Sequence, residues 1–172
     1  MGLKIDFSFD SDTYRHFING HNAVMHCHHY MSLTTQLVEQ FADAGGREIL
    51  ASCAEDSIRP LLDEYYEKNS ITDLSTRLQV GSEFYSFLGL GKMAVRDLGN
   101  GAGEALLTRS HVDEGWVQKF GPSDRPINHF TCGFVAAVFA AAHSKPAQSI
   151  AVVEQESMAT GAPQGRFAAT PA

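Results

Sequence analysis

Polar and apolar positions alternate at the start of the chain. Ile5, Phe7 and Phe9 are separated by Asp6 and Ser8, the period of a half-buried strand. Asn19-Gly20 is a strong turn signal, so Tyr14 to Ile18 and Asn22 to Met25 are expected to form a second and a third strand around it. The period then lengthens. Tyr30, Leu33, Leu37 and Phe41 recur at helical spacing until Gly45-Gly46 stops the run. A second helical region holds Ile49, Leu50, Cys53, Ile58, Leu61, Leu62 and Tyr65, with Pro60 expected to kink or restart it. Thr72 is a candidate cap for a third helix carrying Leu74, Leu78, Phe84, Phe87 and Leu88, closed by glycines 89 and 91. Met93 to Asp97 and Ala105 to Ser110 flank Gly99-Asn100-Gly101 and read as a hairpin. A short helix over 114–120 and a loop over 121–126 lead to the most apolar helix, where Phe130, Phe134, Val135, Val138 and Phe139 lie among alanines. Gln148 to Glu156 and Gly165 to Thr170 form a last hairpin around Gly161-Ala162-Pro163.

This order predicts an α+β fold: an antiparallel sheet of short strands and hairpins covered by a layer of helices, in one domain spanning residues 1–172. A doubly wound nucleotide fold does not suit it, because no Gly-x-Gly-x-x-Gly follows a strand and no phosphate loop ends in Gly-Lys-Ser/Thr. The net charge of -7 argues against nucleic acid, which needs a basic surface to displace counterions. Three cysteines, Cys27, Cys53 and Cys132, are odd in number and not paired in spacing, so reduced thiols and a cytoplasmic location are expected. No run is long and apolar enough for a signal peptide or a membrane span, and no membrane partner is expected.

The last third adds an ordered set of landmarks: Trp116, Phe120-Gly121, Pro126, a small-residue helix opening at Gly133, Lys145-Pro146, Glu154, Gly161 and Arg166-Phe167. In this order the chain resembles the vinyl-4-reductase-like (hydrocarbon-binding) domain family, well over 111–170 and by element order alone before that. The resemblance implies a pocket for a small hydrophobic or aromatic molecule between helices and sheet, often in a homodimer. It also implies a zinc site of three cysteines and a glutamate, but the family's positions fall here on Asn128, Glu154, Ser157 and Gly165. Only the carboxylate remains, which cannot replace a tetrahedral thiolate site. The hairpin is therefore expected to be stable without metal, with Glu154 in solvent or paired with Arg166. The small-residue helix 133–142 is expected to pack closely against another element, in keeping with a homodimer.

His26-Cys27-His28-His29-Tyr30, with His21 upstream, is the chemically densest stretch. On a helix starting by His26, that residue shares a face with Tyr30, Leu33 and Leu37, and His29 lies close to it. The leading expectation is a stand-alone sensor or carrier domain for a small apolar ligand, lined by His26, His29, Tyr30, Phe84, Trp116, Phe130 and Phe134, with His26 or His29 holding the ligand's polar end. Two alternatives stay open. In one, His26, Cys27 and His29 hold zinc, iron or a haem, or Cys27 acts as a nucleophile with His21 or His129 as base. In the other the chain is a dimeric adaptor scaffold.

Overall fold

The computed structural model describes residues 2–24 and 26–172. Three short strands, β1 (Phe7–Asp10), β2 (Arg15–Ile18) and β3 (His21–Ala23), form an antiparallel sheet in that order, turned at Asn19-Gly20 where both residues have positive φ. The far end of the expected third strand, at Met25, lies outside the described residues. Helices α1 (His28–Gln40), α2 (Gly46–Lys68) and α3 (Leu74–Phe87) follow, then strands β4 (Gly91–Gly99) and β5 (Ala102–Ser110). Helices α4 (His111–Phe120) and α5 (His129–Ala142) precede the closing hairpin of β6 (Ile150–Glu156) and β7 (Gly165–Pro171). The second sheet is antiparallel in the order β4-β5-β7-β6, so the α+β class read from the sequence is the class observed.

Two local expectations shift. Pro60 does not restart its helix, and α2 runs unbroken through it. The proline is exposed and costs the helix one backbone donor. Asp73, not Thr72, caps α3, its side chain accepting from the amide and hydroxyl of Thr76 at 2.8 Å each.

The core lies between α5 and the four-stranded sheet. Along β5 the residues Gly103, Ala105 and Leu107 point inward at period two, and Gly165, Phe167 and Ala169 of β7 do the same. Phe134, Phe139, Phe167 and Leu107 have no exposed surface. α5 is buried on every side, as a helix with no polar face must be. Its small residues are used within the chain. A Cβ at Gly133 would stand 1.9 Å from the Ala51 carbonyl oxygen, so α2 and α5 touch backbone to backbone there, and Val138 fills the gap at Gly81 of α3. The helix from which an intersubunit contact was expected is thus spent in the core of one chain.

Candidate ligand site

An apolar cavity lies beneath the amino-terminal sheet. In the register of β2 and β3, Ile18 faces His21 and His16 faces Ala23, so Ile18, His21 and Ala23 share one face of the sheet. That face looks onto α2 and α3. Leu61, Leu62 and Tyr65 of α2, Val80 and Phe84 of α3, and Leu88 at the end of α3 complete the wall with Leu3. The cavity holds about 100 Å³. For scale, a dry apolar cavity of about 150 Å³ holds benzene. The amino-terminal segment is tied along its edge: the Leu3 amide donates to Glu83 Oε2 and the Lys4 amide to the Tyr65 hydroxyl, both at 2.6 Å.

The polar residues among its lining are Asn19, His21, Asn22, Glu64 and Lys68. His21 Nε2 stands 3.3 Å from Glu64 Oε2, so the imidazole is held by a carboxylate while its ring still borders the apolar volume. An apolar wall with a few placed polar groups is the usual construction of a small-molecule site.

Of the residues expected to line a pocket, Phe84 is in this wall. Phe134 is in the core, edge-on to Tyr85 at 4.9 Å, and Phe130 bridges that core and a smaller cluster of Met31, Val112, Ile127 and Ala159. Trp116 packs on the same small cluster and against Phe120 at 4.7 Å. His26, Cys27, His29 and Tyr30 are exposed. The ring of His26 meets not His29 but His111, at 5.2 Å, and His28 also meets His111, at 4.3 Å. Partial burial and these two imidazoles hold His111 below the ordinary histidine range. Cys27 is the N-cap of α1, where the amides of Tyr30 and His29 draw its thiol below the usual value. The two imidazoles named as bases for it are engaged elsewhere, His21 with Glu64 and His129 with Glu39. Among the described residues no three His, Cys, Asp or Glu side chains stand together as a metal-binding set.

The positions of the zinc site form a buried polar knot. Asp113 is its centre. Its Oδ1 accepts from Ser157 Oγ at 3.0 Å and from the Ala159 amide at 3.1 Å; its Oδ2 accepts from Asn128 Nδ2 at 2.7 Å and from Ser110 Oγ. These bonds tie α4 to the start of α5 and to the turn after β6. Asn128 in turn caps α5 by accepting from the Thr131 amide. Zinc does not fit this donor set, because Asn128 and Ser157 point donors at Asp113 and Gly165 has no side chain. Cys132 is a buried thiol of α5, pushed up to about 12 by burial and then by the neighbouring Glu154. The knot had a sequence signal, Ser110-His-Val-Asp113, which has the spacing of a capping box.

Glu154 departs from expectation. It neither reaches solvent nor meets Arg166, which pairs instead with Glu156 at 2.9 Å and Glu104 at 3.6 Å. Regular alternation along β6 sets Glu154 on the inward face with Ile150 and Val152, opposite Phe167, and its Oε2 accepts from the Asn128 amide at 3.0 Å. Burial, reinforced by the Asp113 carboxyl, lifts its pKa to about 7.

With the geometry in view, the chain can be set beside known proteins. No family model matches it, and no curated protein does. Solved structures do. The chain shares its fold with the phenol-responsive sensory domain of the transcription activator PoxR, in a structure with phenol, at a TM-score of 0.79 and 17% identity over 96% of this chain and 84% of that one. A more distant likeness, at a TM-score of 0.53 and 12% identity, is to trafficking protein particle complex subunit 3 from Naegleria fowleri, covalently bound to palmitic acid; it covers 84% of this chain and 94% of that chain. At 96% of this chain, the first likeness extends well beyond the last third in which the sequence landmarks lie.

Proposed function

We propose that this protein is a sensor or carrier domain for a small, largely apolar molecule of about one aromatic ring, held in the cavity between the β2–β3 arm and helices α2 and α3. The observation that carries the reading is the cavity itself. It is walled by Leu3, Ile18, Leu61, Val80, Phe84 and Leu88, and the paired His21 and Glu64 stand among its few polar groups. The fold shared with a phenol-responsive sensory domain supports it. The net charge of -7 and three free cysteines fit a partner that is neither a polyanion nor dependent on an oxidising compartment.

An apolar ring entering the cavity would be held by dispersion and by release from water, and its hydroxyl or other polar group by His21, which Glu64 orients. The test is calorimetric titration with phenol, toluene and cyclohexanol, alongside native mass spectrometry of protein purified without a polyhistidine tag. Ala23→Phe fills the cavity from β3 and is expected to reduce affinity at least tenfold. His21→Ala is expected to weaken phenol and cyclohexanol but not toluene. Unchanged binding in Ala23→Phe, with loss in His26→Ala and His29→Ala, would place the ligand at the opening of α1 and overturn this assignment.

A further inference from the structure

Two arginines meet in a pocket on the far side of α2 from the apolar cavity. At 100° per residue, Leu61, Tyr65 and Lys68 share the face that borders the cavity, whereas Arg59, Asp63 and Tyr66 lie on the opposite face. There a pocket of about 360 Å³ opens between the ends of α2 and α5 and the start of α3, with Arg59, Arg77, Ser70, Thr72 and Ser144 in its wall. Its two guanidiniums are unequally occupied. Arg77 is spent on the fold: Nε donates to the Ile71 carbonyl at 2.9 Å, Nη1 donates to Ser144 Oγ at 2.8 Å and to the Ala142 carbonyl at 3.4 Å, and the group lies over the Tyr66 ring at 5.2 Å.

Arg59 is not. Its side chain is only 15% exposed, yet the carboxylate that pairs with it, Asp63, takes Nε at 2.9 Å and is itself half in solvent. Its Nη1 is buried and has no hydrogen-bond partner among the described residues. A buried charged donor without an acceptor costs free energy, and such an orphan marks a place where an acceptor from outside belongs.

We propose that this pocket binds a small organic monocarboxylate, anchored by Arg59 through the side of the guanidinium that Asp63 leaves open. Three features select that ligand. A planar carboxylate matches the guanidinium fork, and after the bond at Nε the Nη1 side of the fork is the part left over. Hydroxyls of Ser70, Thr72 and Ser144 add neutral donors to the same wall. Ser70 and Ser144 hold their places with φ of 52° and 54°, just past the ends of α2 and α5, where glycine is the usual residue. At both helix ends a hydroxyl thus stands where the backbone alone favours no side chain. The third feature is the limit on charge. Asp63 and Glu67 are exposed at the pocket, and the carbonyl ends of α2 and α5 add partial negative charge. Arg59 offsets one negative charge in this setting, whereas a phosphate dianion is repelled. The site is separate from the apolar cavity, and either assignment can fail alone.

Two-dimensional NMR titration of the full chain with acetate, benzoate and inorganic phosphate, at pH 8 and with ionic strength held constant by sodium chloride, tests the proposal. Acetate and benzoate are expected to give saturable shifts of the Arg59 Nε–H and of the Ser70, Thr72 and Ser144 amides, with Kd about millimolar. Phosphate is expected to bind at least fivefold more weakly. Arg59→Met is expected to weaken acetate binding at least tenfold with unchanged far-ultraviolet circular dichroism. Should that variant fail to fold, Thr72→Glu changes an exposed residue and is expected to weaken acetate at least fivefold by bringing a further carboxylate to the pocket. No saturable shift with either carboxylate, shifts that map away from Arg59, binding indifferent to these substitutions, or phosphate held more tightly than acetate each overturns the proposal.

Discussion

Glu154→Gln is expected to make the protein more stable at pH 8, by about 3 kcal/mol, and only slightly more stable at pH 5, by about 1 kcal/mol. In the folded chain Glu154 is buried with its Oε1 unpartnered, close to Asp113, and its pKa is lifted to about 7 from the ordinary 4.5. A carboxyl raised on folding keeps its proton in the native state at pH values where the unfolded chain has lost it. Stability from this group is therefore full below about 4.5, falls as pH rises toward 7, and is level above that. The gap corresponds to about 3 kcal/mol. Glutamine keeps the oxygen that accepts from the Asn128 amide and removes the charge, so the penalty disappears.

Urea unfolding followed by Trp116 fluorescence, from pH 5 to pH 8, measures this directly. Other groups titrate in the same range, notably His111, whose lowered pKa makes stability rise with pH just below the ordinary histidine value. The difference between variant and wild type cancels them. It is expected to grow from about 1 kcal/mol at pH 5 to about 3 kcal/mol at pH 8, or about 2–4 °C in Tm for each kcal/mol. A variant that is less stable than wild type at pH 8, or whose pH slope matches wild type, would show that Glu154 is ionised and satisfied in a way the geometry does not indicate.

Three further outcomes follow from the same structure. Asp113→Asn replaces an acceptor of four hydrogen bonds by a group that points a donor at donors, and is expected to lower stability by about 2–4 kcal/mol in the same urea assay. Ethylenediaminetetraacetate is expected to leave the Tm unchanged, since hydrogen bonds and not zinc join α4, α5 and β6; a large drop would mean that metal binds after all. Gly133→Ala is expected to cost about 3 kcal/mol, because the methyl group meets the Ala51 carbonyl and α2 must move off α5; near-wild-type urea stability would contradict that close approach.

How much of this was legible in the sequence depends on whether a signal is local. The hairpins were readable because Asn19-Gly20 and Gly99-Asn100-Gly101 fix chain reversals with their own backbones, each of these residues having positive φ. The α+β order followed from changes of period alone. The cavity was half readable. Leu61, Tyr65, Phe84 and Leu88 stood out as apolar helix positions, but that α2 and α3 would leave a gap beneath Ile18 and Ala23 is settled by packing between elements far apart in sequence. Glu154 was misjudged although alternation from Ile150 and Val152 sets it on the inward face, because the cost of burying a carboxylate argued for solvent or Arg166 and the amide that donates to it, at Asn128, lies far away in sequence.

The stripe on α1 shows the limit most clearly. Its spacing sets Tyr30, Leu33, Leu37 and Phe41 on one face, and the structure turns that face to solvent. Periodicity carries no information about what covers them. In α5 the partner surface is supplied by α2 and the sheet of the same chain, so the apolar pattern meant core. In α1 the inward side is taken by Ser32 and Thr35 packing close to α4, a contact that small side chains allow and hydrophobicity does not flag. The same pattern then faces outward. A helical stripe of this kind is a statement about a surface that needs a neighbour, and only the packing of its opposite side decides whether that neighbour belongs to the same chain.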